Sequence, residues 1–113
     1  MNDYTYQCEL DRVVDGDTMD LVVDLGFNIS LKIRVRLGNF NAPEPRGETR
    51  EEGLRYKKKA QLWFERNIRE GLYVQTRKSG KFGRWIGDIF YRKSDISGSA
   101  VYLHSHLEEG ESE

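Results

Sequence analysis

Two adjacent runs of alternating apolar residues constrain this chain more than any other feature. Met19, Leu21, Val23 and Leu25 take every second position, and after Gly26-Phe27-Asn28 the pattern resumes at Ile29, Leu31, Ile33, Val35 and Leu37. A period of two puts one set of side chains on one face, so each run predicts a half-buried strand and the gap between them a turn. Tyr4, Tyr6, Cys8 and Leu10 alternate in the same way upstream. Val13-Val14 then lead into Asp15-Gly16-Asp17-Thr18, where glycine supplies backbone freedom and the aspartates can hydrogen-bond nearby amides. A three-stranded meander is the expectation.

The period then changes. Residues 38–47 hold both prolines of the chain, which neither donate to a sheet ladder nor continue a helix, so this segment reads as a loop. Thr49-x-x-Glu52 resembles a capping box, and Tyr56, Ala60, Trp63, Phe64, Asn67 and Ile68 follow at helical spacing until Gly71. Leu72 to Thr76 and Trp85 to Tyr91 read as two further strands around a Lys/Gly-rich turn, and Tyr102 to Glu109 as a short final helix. The fold class is mainly β with helices, α+β: a five-stranded OB barrel with one long helix between strands 3 and 4 and a short C-terminal helix. A length of 113 residues suits one core, with residues 1–110 as the domain and 111–113 as an acidic tail.

The formal net charge of -1 argues against a uniformly basic binder, but the charge is uneven. Glu108, Glu109, Glu111 and Glu113 lie in the last six residues, which leaves residues 1–107 with fifteen acids against eighteen Lys and Arg, a net +3. The cations cluster at Arg34 and Arg36, from Arg55 to Lys59, from Arg77 to Arg84, and at Arg92 and Lys93; such clusters can follow a phosphate backbone, though solvated surface charge is the commoner meaning of any one of them. Cys8 is the single cysteine, so it has no intrachain disulfide partner and suits a reducing compartment as a small core residue. With no basic-then-apolar leader and no run of membrane-spanning length, the expectation is a cytoplasmic protein without a membrane partner.

Among the aromatics, Trp63 and Phe64 fall in the helical stripe and are assigned to the core. Tyr4, Tyr6, Phe82 and Tyr91 are candidates for base stacking, with core packing favoured for most of them. His104-x-His106 on a helix would diverge by about 200°, which favours surface histidines over a metal pair.

Hydrolysing a phosphodiester requires charge neutralised on the nonbridging oxygens, an oriented water and usually a cation that polarises the phosphoryl group. Asp17, at the start of a strand beside a glycine turn, is a hard oxygen ligand suited to Ca²⁺ or Mg²⁺. Glu44, in the proline-rich loop, is a candidate base or ligand. Arg36 closes the third strand, and a guanidinium there can grip phosphate through two parallel hydrogen bonds. Arg84, after Lys81-Phe82-Gly83, would bring a second guanidinium to one rim of the barrel.

Val14-Asp15-Gly16-Asp17-Thr18, then Arg36-Leu37-Gly38-Asn39-Phe40-Asn41-Ala42-Pro43-Glu44, then Lys81-Phe82-Gly83-Arg84 together resemble the staphylococcal (micrococcal) nuclease family, over roughly residues 6 to 110. The resemblance implies a metal-dependent endonuclease, of the Ca²⁺ type with other divalent cations possible, acting on DNA or RNA. It implies catalytic roles for Arg36, Glu44 and Arg84, with Glu44 as general base and the arginines on phosphate. It implies a metal site made by Asp17, Asn41 and the backbone carbonyl of Ala42. Asn41 stands where the family has a second carboxylate, so the cation should bind more weakly. The family also continues into a segment whose tyrosines contact the nucleotide, beyond the point that corresponds to Glu113. These departures motivate the alternative, a catalytically weak or inactive OB module that binds nucleic acid or a protein partner.

Overall fold

The computed structural model describes residues 4–38, 40, 42–43, 46–77, 85–93 and 98–109. The alternating runs form β1 (Thr5–Asp15), β2 (Thr18–Gly26) and β3 (Ile29–Leu37), an antiparallel meander. Register shifts in β1 between Leu10 and Arg12 and between Val13 and Asp15 bend the strand. Cys8 therefore pairs with Val23 of β2 on one side and with Leu72 on the other.

After the loop come α1 (Arg50–Asn67), β4 (Leu72–Arg77), β5 (Trp85–Arg92), β6 (Ala100–Tyr102) and α2 (Leu103–Glu109). β4 pairs antiparallel with β1 and β5, and β5 pairs in parallel with β3 through Val35–Trp85, Arg36–Ile86 and Leu37–Gly87. That last pairing closes five strands into the expected OB barrel. β6 is a sixth, three-residue strand that pairs with β5 at Phe90 to Arg92, beyond the stretch that β3 occupies. It claims Tyr102 from the final helix, because Tyr102 pairs with Phe90 and its ring packs there.

The barrel interior is filled by Met19, Leu21, Val35, Val74 and Ile89, all fully buried. Helix α1 lays Ala60, Trp63 and Phe64 against them, and α2 adds Leu103 and Leu107. Fully burying such a side chain contributes about 1.5–3 kcal/mol each, so these residues make a large apolar contribution to folding. Cys8 belongs to this core, and burial, with Glu9 nearby, pushes its thiol up to about 12, so it stays protonated. Tyr6 and Tyr91 also pack on the core, whereas Tyr4 is exposed and Phe82 lies outside the described residues.

Three local expectations change. Thr49 is the residue before α1, but its hydroxyl donates to the Arg46 carbonyl at 3.2 Å and makes no helix cap. Ile68 lies in a 3₁₀ turn, Ile68–Glu70, that follows α1 and turns its side chain to solvent instead of into the helical stripe. Leu25, Ile29 and Leu31 are exposed despite their alternation, because the β2–β3 ribbon runs past the end of the barrel that would cover them. Among the described residues, no helix is long and apolar enough to cross a membrane.

Candidate functional site

Asp17 lies in the tight turn between β1 and β2, and three elements fix it. Its backbone carbonyl accepts the Leu37 N–H at 2.8 Å, which ties the turn to the end of β3. Its Oδ1 accepts the Thr18 hydroxyl at 3.0 Å, and its Oδ2 accepts the Ala42 N–H at 3.0 Å. The loop after β3 is thus latched onto the carboxylate. Arg36, paired with Thr18 in the ladder, brings Nε to 4.0 Å from Asp17 Oδ2.

Burial differs across that pair. The Asp17 side chain is 11% exposed and the Arg36 side chain 43%. A carboxylate has about four lone-pair sites, so the Thr18 and Ala42 hydrogen bonds leave capacity for further partners. The arrangement presents an immobilised anion and a half-open guanidinium at one rim, which suits a cation and a phosphate oxygen side by side.

Gly16 explains how the rim stays closed. A Cβ there would come within 2.7 Å of Tyr56 Cβ and 2.8 Å of Ala42 Cβ, so only glycine lets α1 and the loop meet over the turn. Phe40 packs its ring 5.4 Å from that of Tyr56, holding the loop against the helix.

Of the residues expected to form the site, the structure brings together Asp17, Arg36 and the Ala42 backbone. Asn41, Glu44 and Arg84 lie outside the described residues. Among the described residues, no three His, Cys, Asp or Glu side chains converge as a group able to hold a metal. What meets there is the Asp17 carboxylate, a hard oxygen donor of the type a divalent cation takes, and the Ala42 N–H that donates to it.

Two ionic clusters were not legible in advance. Asp20, on the outer face of β2, accepts Arg34 Nε at 2.8 Å, Arg34 Nη2 at 3.1 Å and Arg12 Nε at 3.1 Å. The Arg34 hydrogen bond, with Arg12 adding to it, holds the Asp20 carboxyl below the usual range against the opposing effect of burial. On β5, buried Asp88 accepts Arg77 Nη1 at 3.1 Å, and His104 Nδ1 lies 3.8 Å from it. His104 is therefore largely covered, not a surface histidine as its spacing suggested. The signal for Asp88 was a lone acid between Gly87 and Ile89, and nothing in one sequence pairs it with Arg77.

No family model matches the chain. It is 32% identical over 85 residues to Protein ParB of Escherichia coli, a stretch that covers 73% of this chain. The chain spans 40% of the length of that relative.

Proposed function

We propose that this chain binds a nucleic-acid backbone, of DNA or RNA, at the Asp17–Arg36 rim and, with a divalent cation of the Ca²⁺ type, hydrolyses a phosphodiester there as an endonuclease. The observation that carries the reading is the Asp17 carboxylate, pinned by the Ala42 N–H at 3.0 Å and set 4.0 Å from the half-exposed Arg36 guanidinium.

Arg36 would neutralise a nonbridging phosphoryl oxygen, with charge growing there as the pentacovalent state forms. Arg84 would supply a second guanidinium and Glu44 the base, roles that rest on the family resemblance. The water oxygen bonds to phosphorus as one ester P–O bond breaks; Glu44 takes the water's proton, and the departing ester oxygen takes one from solvent. Asp17, the Ala42 carbonyl and the Asn41 amide would hold the cation, which when bound polarises the phosphoryl group.

A labelled oligonucleotide incubated with Ca²⁺, Mg²⁺ or Mn²⁺ tests this directly. Metal-dependent shortening is expected, falling by about 10²–10⁴-fold in Glu44→Gln. Absence of cleavage with all three cations at micromolar protein sinks the enzyme.

A second reading is a binding module without turnover. What favours it is that Asp17 already serves Thr18 and Ala42, a complete job as a structural latch. It predicts salt-sensitive binding that Glu44→Gln leaves intact, and any metal-dependent cleavage by purified protein rules it out.

A further inference from the structure

Gly38, the first residue after β3, has no space on its Cα. A Cβ there would overlap Arg77 Nη2 and meet Ile86 Cγ2 at 2.8 Å. The Arg77 guanidinium therefore reaches from β4 across Ile86 of β5 and lies on bare backbone two residues past Arg36. The register agrees, since Arg36 pairs with Ile86 and Ile86 pairs with Arg77. Two strand spacings separate Arg36 from Arg77, about 10 Å, on the outer face of the barrel.

Arg77 is braced, not loose. Its Nη1 donates to buried Asp88 at 3.1 Å, while its own side chain stays 49% exposed. Farther along the same face, Tyr73 pairs with Phe90, their rings 5.5 Å apart and 17° from parallel. Tyr102 of β6 packs 5.1 Å from Phe90, and the Arg92 guanidinium lies 5.4 Å above the Phe90 ring and 6.0 Å from that of Tyr73. Phe90 is 3% exposed yet stands apart from the hydrophobic core, so these rings form a separate shelf on the outside of the barrel. Four strand residues, about 13 Å, separate the Arg77 row from the shelf.

We propose that a single nucleic-acid strand leaving the Asp17–Arg36 rim crosses β5 onto Arg77 and continues to the shelf, with phosphates at Arg77 and Arg92 and a base against the partly exposed Tyr73 and Tyr102. Alternating guanidinium and aromatic contacts suit a strand whose bases are unstacked; a duplex keeps its base faces covered. The path is about 23 Å, room for a few nucleotides at the low end of the range for OB folds. The inference rests on the proposed rim for its starting point.

The test is binding of a fluorescent dinucleotide, octanucleotide and duplex, in the Glu44→Gln background with and without Ca²⁺ so that the probe is not consumed. Arg77→Gln should weaken octanucleotide binding about tenfold and reduce the slope of log affinity against log salt by about 0.7, the value for one phosphate contact on a single strand. Arg92→Gln and Tyr102→Leu should each cost about fivefold on the octanucleotide and nothing on the dinucleotide. Arg92→Gln, at an exposed position, guards against a folding defect in Tyr102→Leu, and thermal unfolding monitors both. If Arg36→Gln weakens binding while Arg77→Gln and Arg92→Gln leave octanucleotide affinity and salt slope unchanged, the track is wrong and the rim stands. If neither oligonucleotide binds with or without Ca²⁺, both are wrong.

Discussion

The two ends of the β2–β3 ribbon, about 27 Å apart, are built on opposite terms. At the rim, Thr18, Arg36 and Leu37 sit where β5 closes the barrel, and Asp17 is buried with partners for both carboxylate oxygens. At the tip the same apolar alternation continues with nothing described above it: Leu25, Ile29 and Leu31 are exposed and Phe27 is 95% exposed. A cavity of about 1030 Å³ opens at this tip, lined by Phe27 and Ile29 and by Phe64 and Ile68. Its charged lining residues are Glu9, Asp24 and Glu65, so it repels phosphate. The acidic lining of this cavity and the guanidinium at the rim set the two ends apart in charge, and the proposed backbone-binding site lies at the rim.

The sharpest way to break that contrast is to change one residue at each end. On the proposed mechanism, Arg36→Gln is expected to lower cleavage by about 10²-fold or more, since Arg36 is the group proposed to meet transition-state charge. Loss of its ion pair with Asp17, which is long and half exposed, should account for less than about 1 kcal/mol of stability. Leu31→Ser at the tip should leave cleavage unchanged. Equal losses from both, measured as initial rates on one oligonucleotide, would dissolve the contrast.

Gly16→Val probes how the rim is held shut. Its side chain would collide with Tyr56 and Ala42, so a loss of about 1–3 kcal/mol in urea unfolding is expected, with reduced cleavage from the displaced loop. Stability and activity both at wild-type level would show that the loop does not need that close approach.

Asp20→Asn tests the ribbon between the two ends. The folded carboxyl is held below its unfolded value by Arg34 and Arg12, so its contribution is complete above about pH 4 and disappears as pH falls through the lower folded value. Wild type should exceed the variant by about 1–2 kcal/mol at pH 7, with the gap closing below pH ~4. A gap that stays constant with pH would remove the ion pair as its cause.

The smallest expected effect is at the tip. Phe27 and Asn28 have φ of 56° and 62°, the two positive angles of a type I′ hairpin, and a bulky residue is poorly suited to the first. Phe27→Asn should raise stability by up to about 1 kcal/mol, read as a higher urea midpoint. A loss instead would mean that Phe27 makes a contact worth more than the strain.

Strands β1 to β5 and helix α1 were legible because a period of two and a period of 3.6 leave direct marks in the order of residues. The same alternation misjudged Leu25, Ile29 and Leu31, since a period reports which face a side chain takes but not how far the neighbouring strands extend. β6 escaped notice because three residues carry no period, and Tyr102 was drawn into the helix that follows it. In the site, Asp17 and Arg36 were nominated by motif and do meet, whereas Ala42 was nominated for its carbonyl and it is its amide that reaches Asp17. The aromatic shelf was missed because Tyr73, Phe90 and Tyr102 come from three strands and gather on the outside of the barrel.

By itself, the sequence determined which segments become strands and helix, which of their faces are apolar, and which residue types with phosphate chemistry stand beside a glycine turn and a strand end. Those are local properties, written in residues close together along the chain. Tertiary structure alone decided that β3 closes in parallel onto β5, and so set Arg36 on the same row as Arg77, forty-one positions away. It also decided that Asp17 would meet the Ala42 amide and that Asp88 would brace Arg77. The physical reason is closure: the bend of β1 and the register of one parallel pair fix which distant residues become neighbours, and no periodicity in the chain encodes that pairing.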